Sequence, residues 1–237
     1  MTEHRQRPPR SIHLIDRCRE LGAAMTRHDP VWAAQLVVAG AIALDLALPD
    51  KLTIGPFWLL PAVEGLLLFG LVGASPHPRL RHSPLRRRVA LVLIGLVSAV
   101  NVFSLIELVR YLLRGGHAGG RPLIFSGIAL WLTNVLLFGL WYWELDRGGP
   151  LARALRSDLE PDFLFPQLTD EVRRIKPNWT PGLIDYLYLS LTNSSAFSPT
   201  DTLPLTATAK LLMGGQALVS MLIIVLVVAR AVNILAQ

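Results

Sequence analysis

Apolar residues in this chain gather into five blocks, Val31–Leu48, Phe57–Ala74, Val89–Leu113, Leu123–Trp143 and Leu211–Ala229. Crossing about 30 Å of hydrocarbon takes roughly 20 apolar residues in helical form, and each block approaches or exceeds that length. The pattern therefore predicts five membrane helices. The stretches between them are of a different kind. Leu48-Pro49-Asp50 closes the first block, Gly55-Pro56 turns the chain into the second, and a proline-, arginine- and histidine-bearing run, Ser75–Arg88, leads to the third. A glycine-rich turn, Gly115–Gly120, precedes the fourth, which ends on Trp141-Tyr142-Trp143, an aromatic cluster suited to the membrane interface.

After residue 146 the periodicity changes. Glu144–Pro181 carries charges and prolines and no apolar block. Leu183–Leu191 is apolar but too short to span, and the polar run Thr192–Thr202 separates it from the last block. A short helix, a polar non-helical run and then a full span predict a re-entrant loop, since exposed backbone at membrane depth survives only against protein or a watery cavity. The expected fold is all-α and integral to the membrane, with five transmembrane helices plus a re-entrant pore helix and loop. Its expected parts are a basic interfacial segment (1–30), a four-helix bundle (31–146), a polar connection (147–181) and a pore-loop and inner-helix region (182–237).

Composition sharpens this picture. Of 237 residues 52% are hydrophobic and 17% charged, against about a quarter charged in soluble domains. A soluble enzyme is excluded. The single cysteine, Cys18, excludes a disulfide framework. The +6 net charge is localised: six arginines precede the first block and five lie at 79–88, flanking membrane helices. That placement favours contact with anionic lipid over nucleic acid, so membrane lipids are expected partners and nucleic acid is not. Ser11–Ala24 reads as an amphipathic helix on the inner surface. No cleavable signal peptide is expected, because no apolar run precedes Val31. The positive-inside rule puts the N-terminus, Ser75–Arg88 and Glu144–Pro181 in the cytoplasm, in a plasma (inner) membrane; the usage rich in arginine, alanine and leucine is that of a GC-rich bacterial genome. In this orientation the loop enters from the cytoplasmic side.

Chemistry-bearing residues are few. No nucleophile–base pair, metal-ligand spacing or phosphate loop is present, and the six histidines lie in the tail or loops. No enzyme activity, cofactor or metal is expected. Glu64 and Glu107 lie inside spans two and three, and Asp45 near the end of span one; charge at that depth is costly and marks candidates for an ion or proton site. Arg110, three residues from Glu107, is placed to neutralise it. Asn101 and Asn134 are placed to bond between spans three and four. Trp141–Arg147 is expected to anchor the junction between the upstream bundle and the pore region. No arginine repeat marks a voltage sensor.

The last 53 residues carry a family likeness. Asp185-Tyr186-Leu187-Tyr188-Leu189-Ser190-Leu191 resembles the pore helix, often D-A-L-Y-F-S, of two-transmembrane potassium-channel pore domains. Without a gap, Asp201 falls on the acidic residue after that family's T-V-G-Y-G filter, and Pro204 on the proline opening its inner helix. Leu211–Arg230 resembles the inner helix. The likeness covers about a fifth of the chain and implies a homotetramer with one conduction path. The filter departs from it: Ala196-Phe197-Ser198-Pro199-Thr200 replaces T-V-G-Y-G. Ser198 and Thr200 stand where glycines allow the required backbone angles, and Pro199 fixes φ near −65°. Potassium selectivity through stacked carbonyls is therefore not expected. A wider polar constriction remains, lined by Thr192, Asn193, Ser194, Ser195, Ser198 and Thr200 with Ala196, Phe197 and Pro199 between them. Asp201 has two readings, an acidic ring at the mouth and an N-cap of the last helix. Gly214-Gly215 reads as a hinge or as a helix contact. The expected function is a pore-loop conductor of inorganic cations. The alternatives are a non-conducting scaffold of the same fold and a proton-coupled transporter using Glu64 and Glu107.

Overall fold

The structure is a computed structural model that describes residues 31–46, 65, 84–114, 120–156, 159–174, 179–195 and 201–235. It is mostly helical. The helices are α1 (Val31–Leu46), α2 (Pro84–Leu113), α3 (Gly120–Leu145), α4 (Pro150–Leu155), α5 (Asp170–Arg173), α6 (Leu183–Ser195) and α7 (Ala207–Leu235), with 3-10 turns at Asp146–Gly148 and Pro166–Leu168. One departure from an all-α fold is a two-residue antiparallel pairing of β1 (Phe163–Leu164) with β2 (Leu203–Pro204).

Three helices are long and apolar enough to cross a membrane, over Arg87–Leu112, Leu123–Gly148 and Ala207–Arg230. They match the third, fourth and fifth blocks. The first block forms α1, which at 16 residues and about 1.5 Å per residue reaches roughly 24 Å. The second block lies outside the described residues apart from the helical Gly65.

Helix α3 is the centre of the molecule and packs against α1, α2, α6 and α7. Its neighbours explain its composition. The amide of Asn134 donates to Ser220 Oγ on α7 at 2.8 Å, rather than to α2 as its sequence position suggested, because Asn134 lies on the α7-facing side. Toward α2, Trp141 Nε1 donates to Ser98 Oγ (3.1 Å). Arg87, at the start of α2, donates to the Glu144 carbonyl at 3.1 Å, so the arginine-rich end of α2 and the C-terminal end of α3 lie together. The Glu107–Arg110 pair forms as expected, at 2.6 Å along the α2 surface.

Close approach between α3 and α6 rests on Gly139. A Cβ there would lie 2.6 Å from Leu187 Cδ2 and 3.2 Å from Leu187 Cα. Side-chain ends can move, but a backbone Cα moves only with its helix. Gly139→Ala gains at most about 1 kcal/mol of helix propensity, whereas overpacking costs about 1–3 kcal/mol. We expect Gly139→Ala to lower the unfolding temperature in detergent. An unchanged or raised temperature would show that α6 is not held at this distance.

The segment between α3 and α6, which the sequence presented as a polar connection, is folded onto the bundle. Phe163 and Phe165 are 1% and 4% exposed. Phe163 packs against Tyr142 (5.1 Å between ring centroids) and Tyr186 (6.4 Å), and Phe165 against Tyr186 (5.3 Å) and Trp179 (5.7 Å). A three-residue apolar island among charges is invisible to a search for spans, yet its two rings pack against Tyr142, Trp179 and Tyr186.

Candidate functional site: the α3–α6–α7 seam

Helix α6 runs along α3 in the opposite direction. At its start the Tyr186 hydroxyl donates to Asp146 Oδ2 (2.5 Å). Leu187 then meets Gly139, and Ser190 Oγ donates to the Val135 carbonyl (2.7 Å). Near its end the Ser194 carbonyl accepts from Trp131 Nε1 (3.5 Å). The helix therefore stops level with Trp131, about midway along α3. By Leu203 the chain is back at the other end, paired with Leu164. Helix α7 then runs along α3 in the same direction as α6 and in contact with it, meeting Tyr142, Asn134 and Gly127 in turn through Gln216, Ser220 and Val227.

The seam where these helices meet is polar and closed. Gln216 is fully buried. Its Nε2 donates to the Ser190 carbonyl (3.0 Å), Ser190 Oγ (2.6 Å) and Ser194 Oγ (2.6 Å). Its Oε1 accepts from the Tyr142 hydroxyl and from Asn193 Nδ2, the latter at 2.9 Å. Asn193 also donates to the Met213 carbonyl (2.9 Å). Every one of these groups lies within helices of apolar character, where an unmet donor costs several kcal/mol.

At the α3 C-terminal end lies a second polar cluster. Arg147, Gly148 and Gly149 all have positive φ, at 51°, 76° and 98°, and this left-handed run turns the chain sharply off α3. It brings the fully buried Asp146 under the connecting segment. There Asp146 Oδ1 accepts the Asp162 N–H (2.8 Å). Asp162 Oδ2 accepts the Arg147 N–H (2.9 Å), and its Oδ1 accepts the Thr206 hydroxyl (2.7 Å). Arg153 Nη1 donates to the carbonyls of Trp143 (2.6 Å) and Asp146 (2.8 Å), with its guanidinium 5.1 Å from the Tyr186 ring centroid. Burial pushes the Tyr186 hydroxyl well above its ordinary range, so it remains a proton donor to Asp146.

The residues singled out from the sequence are distributed unevenly. Thr192, Asn193, Ser194 and Ser195 sit on the last turn of α6, which extends further than the apolar pattern indicated. Hydroxyls there bond back to the helix: Thr192 Oγ1 to the Tyr188 carbonyl (2.8 Å) and Ser195 Oγ to the Thr192 carbonyl (3.1 Å). Ser194 is buried against Gln216, while Thr192, Asn193 and Ser195 are half-buried. Ala196, Phe197, Ser198, Pro199 and Thr200 lie outside the described residues, as does Glu64. Asp201 is exposed and does not cap α7, which begins later, at Ala207. The cap is Thr206, whose Oγ1 accepts the Ala209 N–H (3.3 Å), because Leu203–Pro204 is drawn into the pairing with β1. Glu107 is paired with Arg110 on its own helix and takes no part in the bonds of the seam. Among the described residues no three histidine, cysteine or carboxylate side chains converge to hold a metal.

The residues missed by sequence reading are Gln216 and Asp162; Asp146 and Ser190 lay within stretches that were singled out, Trp141–Arg147 and Asp185–Leu191, without a role of their own. A signal for the first was present, since a glutamine inside an apolar span is costly unless bonded. Comparison with protein-family models, with curated proteins and with solved structures finds no match to this chain.

Proposed function

We propose that the chain is a multi-pass membrane protein whose α3, α6 and α7 form a pore-loop module conducting inorganic cations as a homotetramer. The observation that carries this reading is the course of α6. A 13-residue helix, too short to span, starts beside Asp146, stops midway along α3 and is followed by a return to the same end at Leu203. A re-entrant helix has this path. Its last turn leaves Thr192, Asn193 and Ser195 half-buried at mid-depth. Polar groups and helix-end carbonyls there require protein or water rather than lipid around them, which a tetramer around a watery axis provides. In this reading Thr192, Asn193 and Ser195 border the constriction and Asp201 stands at its mouth, where four carboxylates raise the local cation concentration. The basic end of α2, beside Glu144, faces the cytoplasm, and lipid surrounds the outer faces.

A second reading is favoured by a specific observation. The hydroxyl and amide groups of Thr192–Ser195 are engaged within the chain, as a non-conducting scaffold of the same fold would have them.

Flux measurements in liposomes separate the two. Purified protein is expected to pass potassium or sodium ions, with Asp201→Asn reducing the flux or its preference for cations over anions while the oligomer is retained. A folded tetramer that passes no ion would give the scaffold reading, and a folded monomer would remove the pore reading altogether.

A further inference from the structure

A single run of bonds joins the starts of the two helices that flank the proposed constriction. Tyr186, in the first turn of α6, is bound to Asp146. Asp146 holds the backbone of Asp162, and Asp162 holds the Thr206 hydroxyl and, through its own carbonyl, the Leu205 N–H at 2.8 Å. Beside it, Phe163 and Leu164 pair with Pro204 and Leu203. Asp201 is two residues before that pairing, and no hydrogen bond of its own side chain fixes it to another described element. On this side its position relative to α6 depends on what fixes the backbone that follows it, the buried Thr202 and Leu203–Thr206.

We infer that Asp162 and Thr206 are positioning residues for Asp201: they lock Leu203–Thr206 to the α3–α6 junction and so hold the Asp201 carboxylate at a defined distance from α6. This rests on the pore reading for its consequence, ion preference, but the lock is a property of the fold alone. Neither residue needs to touch an ion. Thr206 also caps α7, so loss of its hydroxyl removes both the side-chain tie to Asp162 and the cap on the first turn of α7. Both Asp162 carboxylate oxygens are engaged inside the fold, Oδ1 by the Thr206 hydroxyl and Oδ2 by the Arg147 N–H.

The isosteric pair Thr206→Val and Thr206→Ser tests this, because valine keeps the shape without the hydroxyl and serine keeps the hydroxyl. In a Cys18→Ser background, spin labels are attached at Ile184→Cys, 80% exposed, and at Asp201→Cys, and the distance distribution is read in liposomes. It is expected to be narrow with Thr206 and with Thr206→Ser, and broad with Thr206→Val. In the unlabelled protein, Thr206→Val is expected to lose cation preference as far as Asp201→Asn does, with tetramer yield retained, and Thr206→Ser to keep it. A helix cap without a positioning role would lower the unfolding temperature and leave both readouts unmoved, which overturns the inference. A broadened distance in a protein that passes no ion supports the lock and removes only the pore reading. Should Thr206→Val not fold, Asp162→Asn, which keeps one acceptor oxygen, takes its place with the same two outcomes.

Discussion

Asp146→Ala is expected to be the most damaging single substitution among the described residues, lowering stability by roughly 3–5 kcal/mol. The side chain is fully buried, and its removal leaves a buried donor, the Tyr186 hydroxyl, and a partly buried one, the Asp162 N–H, without acceptors. An unsatisfied buried group costs about 1–3 kcal/mol, more when the lost acceptor was charged. Water does not readily take the vacated place, because Phe163, Phe165 and the Tyr186 ring close the cluster. Asp146→Asn keeps an oxygen for one donor and is expected to lose about half as much. Tyr186→Phe removes one bond and leaves one carboxylate oxygen short, so it should fall near Asp146→Asn. The ranking is read from unfolding temperatures in detergent. At about 2–4 °C per kcal/mol for a chain of this size, Asp146→Ala should unfold about 6–20 °C below the wild type. Equal losses for alanine and asparagine would show that charge rather than hydrogen bonding governs the site.

The second large effect is expected at Gln216. Five contacts converge on its amide, from Ser190 twice, Ser194, Asn193 and Tyr142. Interhelical hydrogen bonds in membranes are individually worth about 0.6 kcal/mol, rising to about 1.7. Gln216→Leu keeps the volume and removes all five contacts, so a loss of roughly 2–4 kcal/mol is expected. The effect should be local as well. Amide hydrogen exchange ought to rise across α6, whose C-terminal half is tied to α7 through this residue, while α2, which has no part in the seam, keeps its protection. Tyr142→Phe, which removes one of the five, is expected to cost about 1 kcal/mol or less. A Gln216→Leu protein as stable as wild type would mean that apolar packing alone holds α6 between its neighbours. In that case the polar seam would have some role other than cohesion.

Both sites show how far linear pattern carries. The three helices long and apolar enough to cross a membrane were legible because hydrocarbon would impose a length and an apolar composition on any helix that crosses it, and that requirement is local in sequence. The shortness of α6 was legible for the same reason, as was the Glu107–Arg110 pair, since residues three apart share one face of a helix. The end of α6 was not. Threonine and serine at 192–195 look like loop, but each hydroxyl can satisfy a carbonyl one turn back, and the neighbouring Gln216 rewards continuing the helix. Asn134 was correctly read as a bonding residue and assigned the wrong partner, because helix periodicity gives a face and not the identity of the helix opposite.

The cap of α7 obeys the same logic. Asp201, Thr202 and Thr206 are all chemically able to cap, and local propensity does not choose among them. The choice was made far back in the chain, where Phe163–Leu164 pairs with Leu203–Pro204 and postpones the helix to Ala207. What the sequence by itself determined is therefore the apolar pattern: three helices long and apolar enough to cross a membrane, and a short helix before the last of them. The tertiary structure alone decided the partners, with Asp146 under Asp162, Gln216 against Ser190 and Ser194, and Asp201 left exposed. The physical reason is that transfer into hydrocarbon is a sum over residues taken one at a time, whereas a buried hydrogen bond is a property of two groups whose separation along the chain leaves no mark on the composition around either.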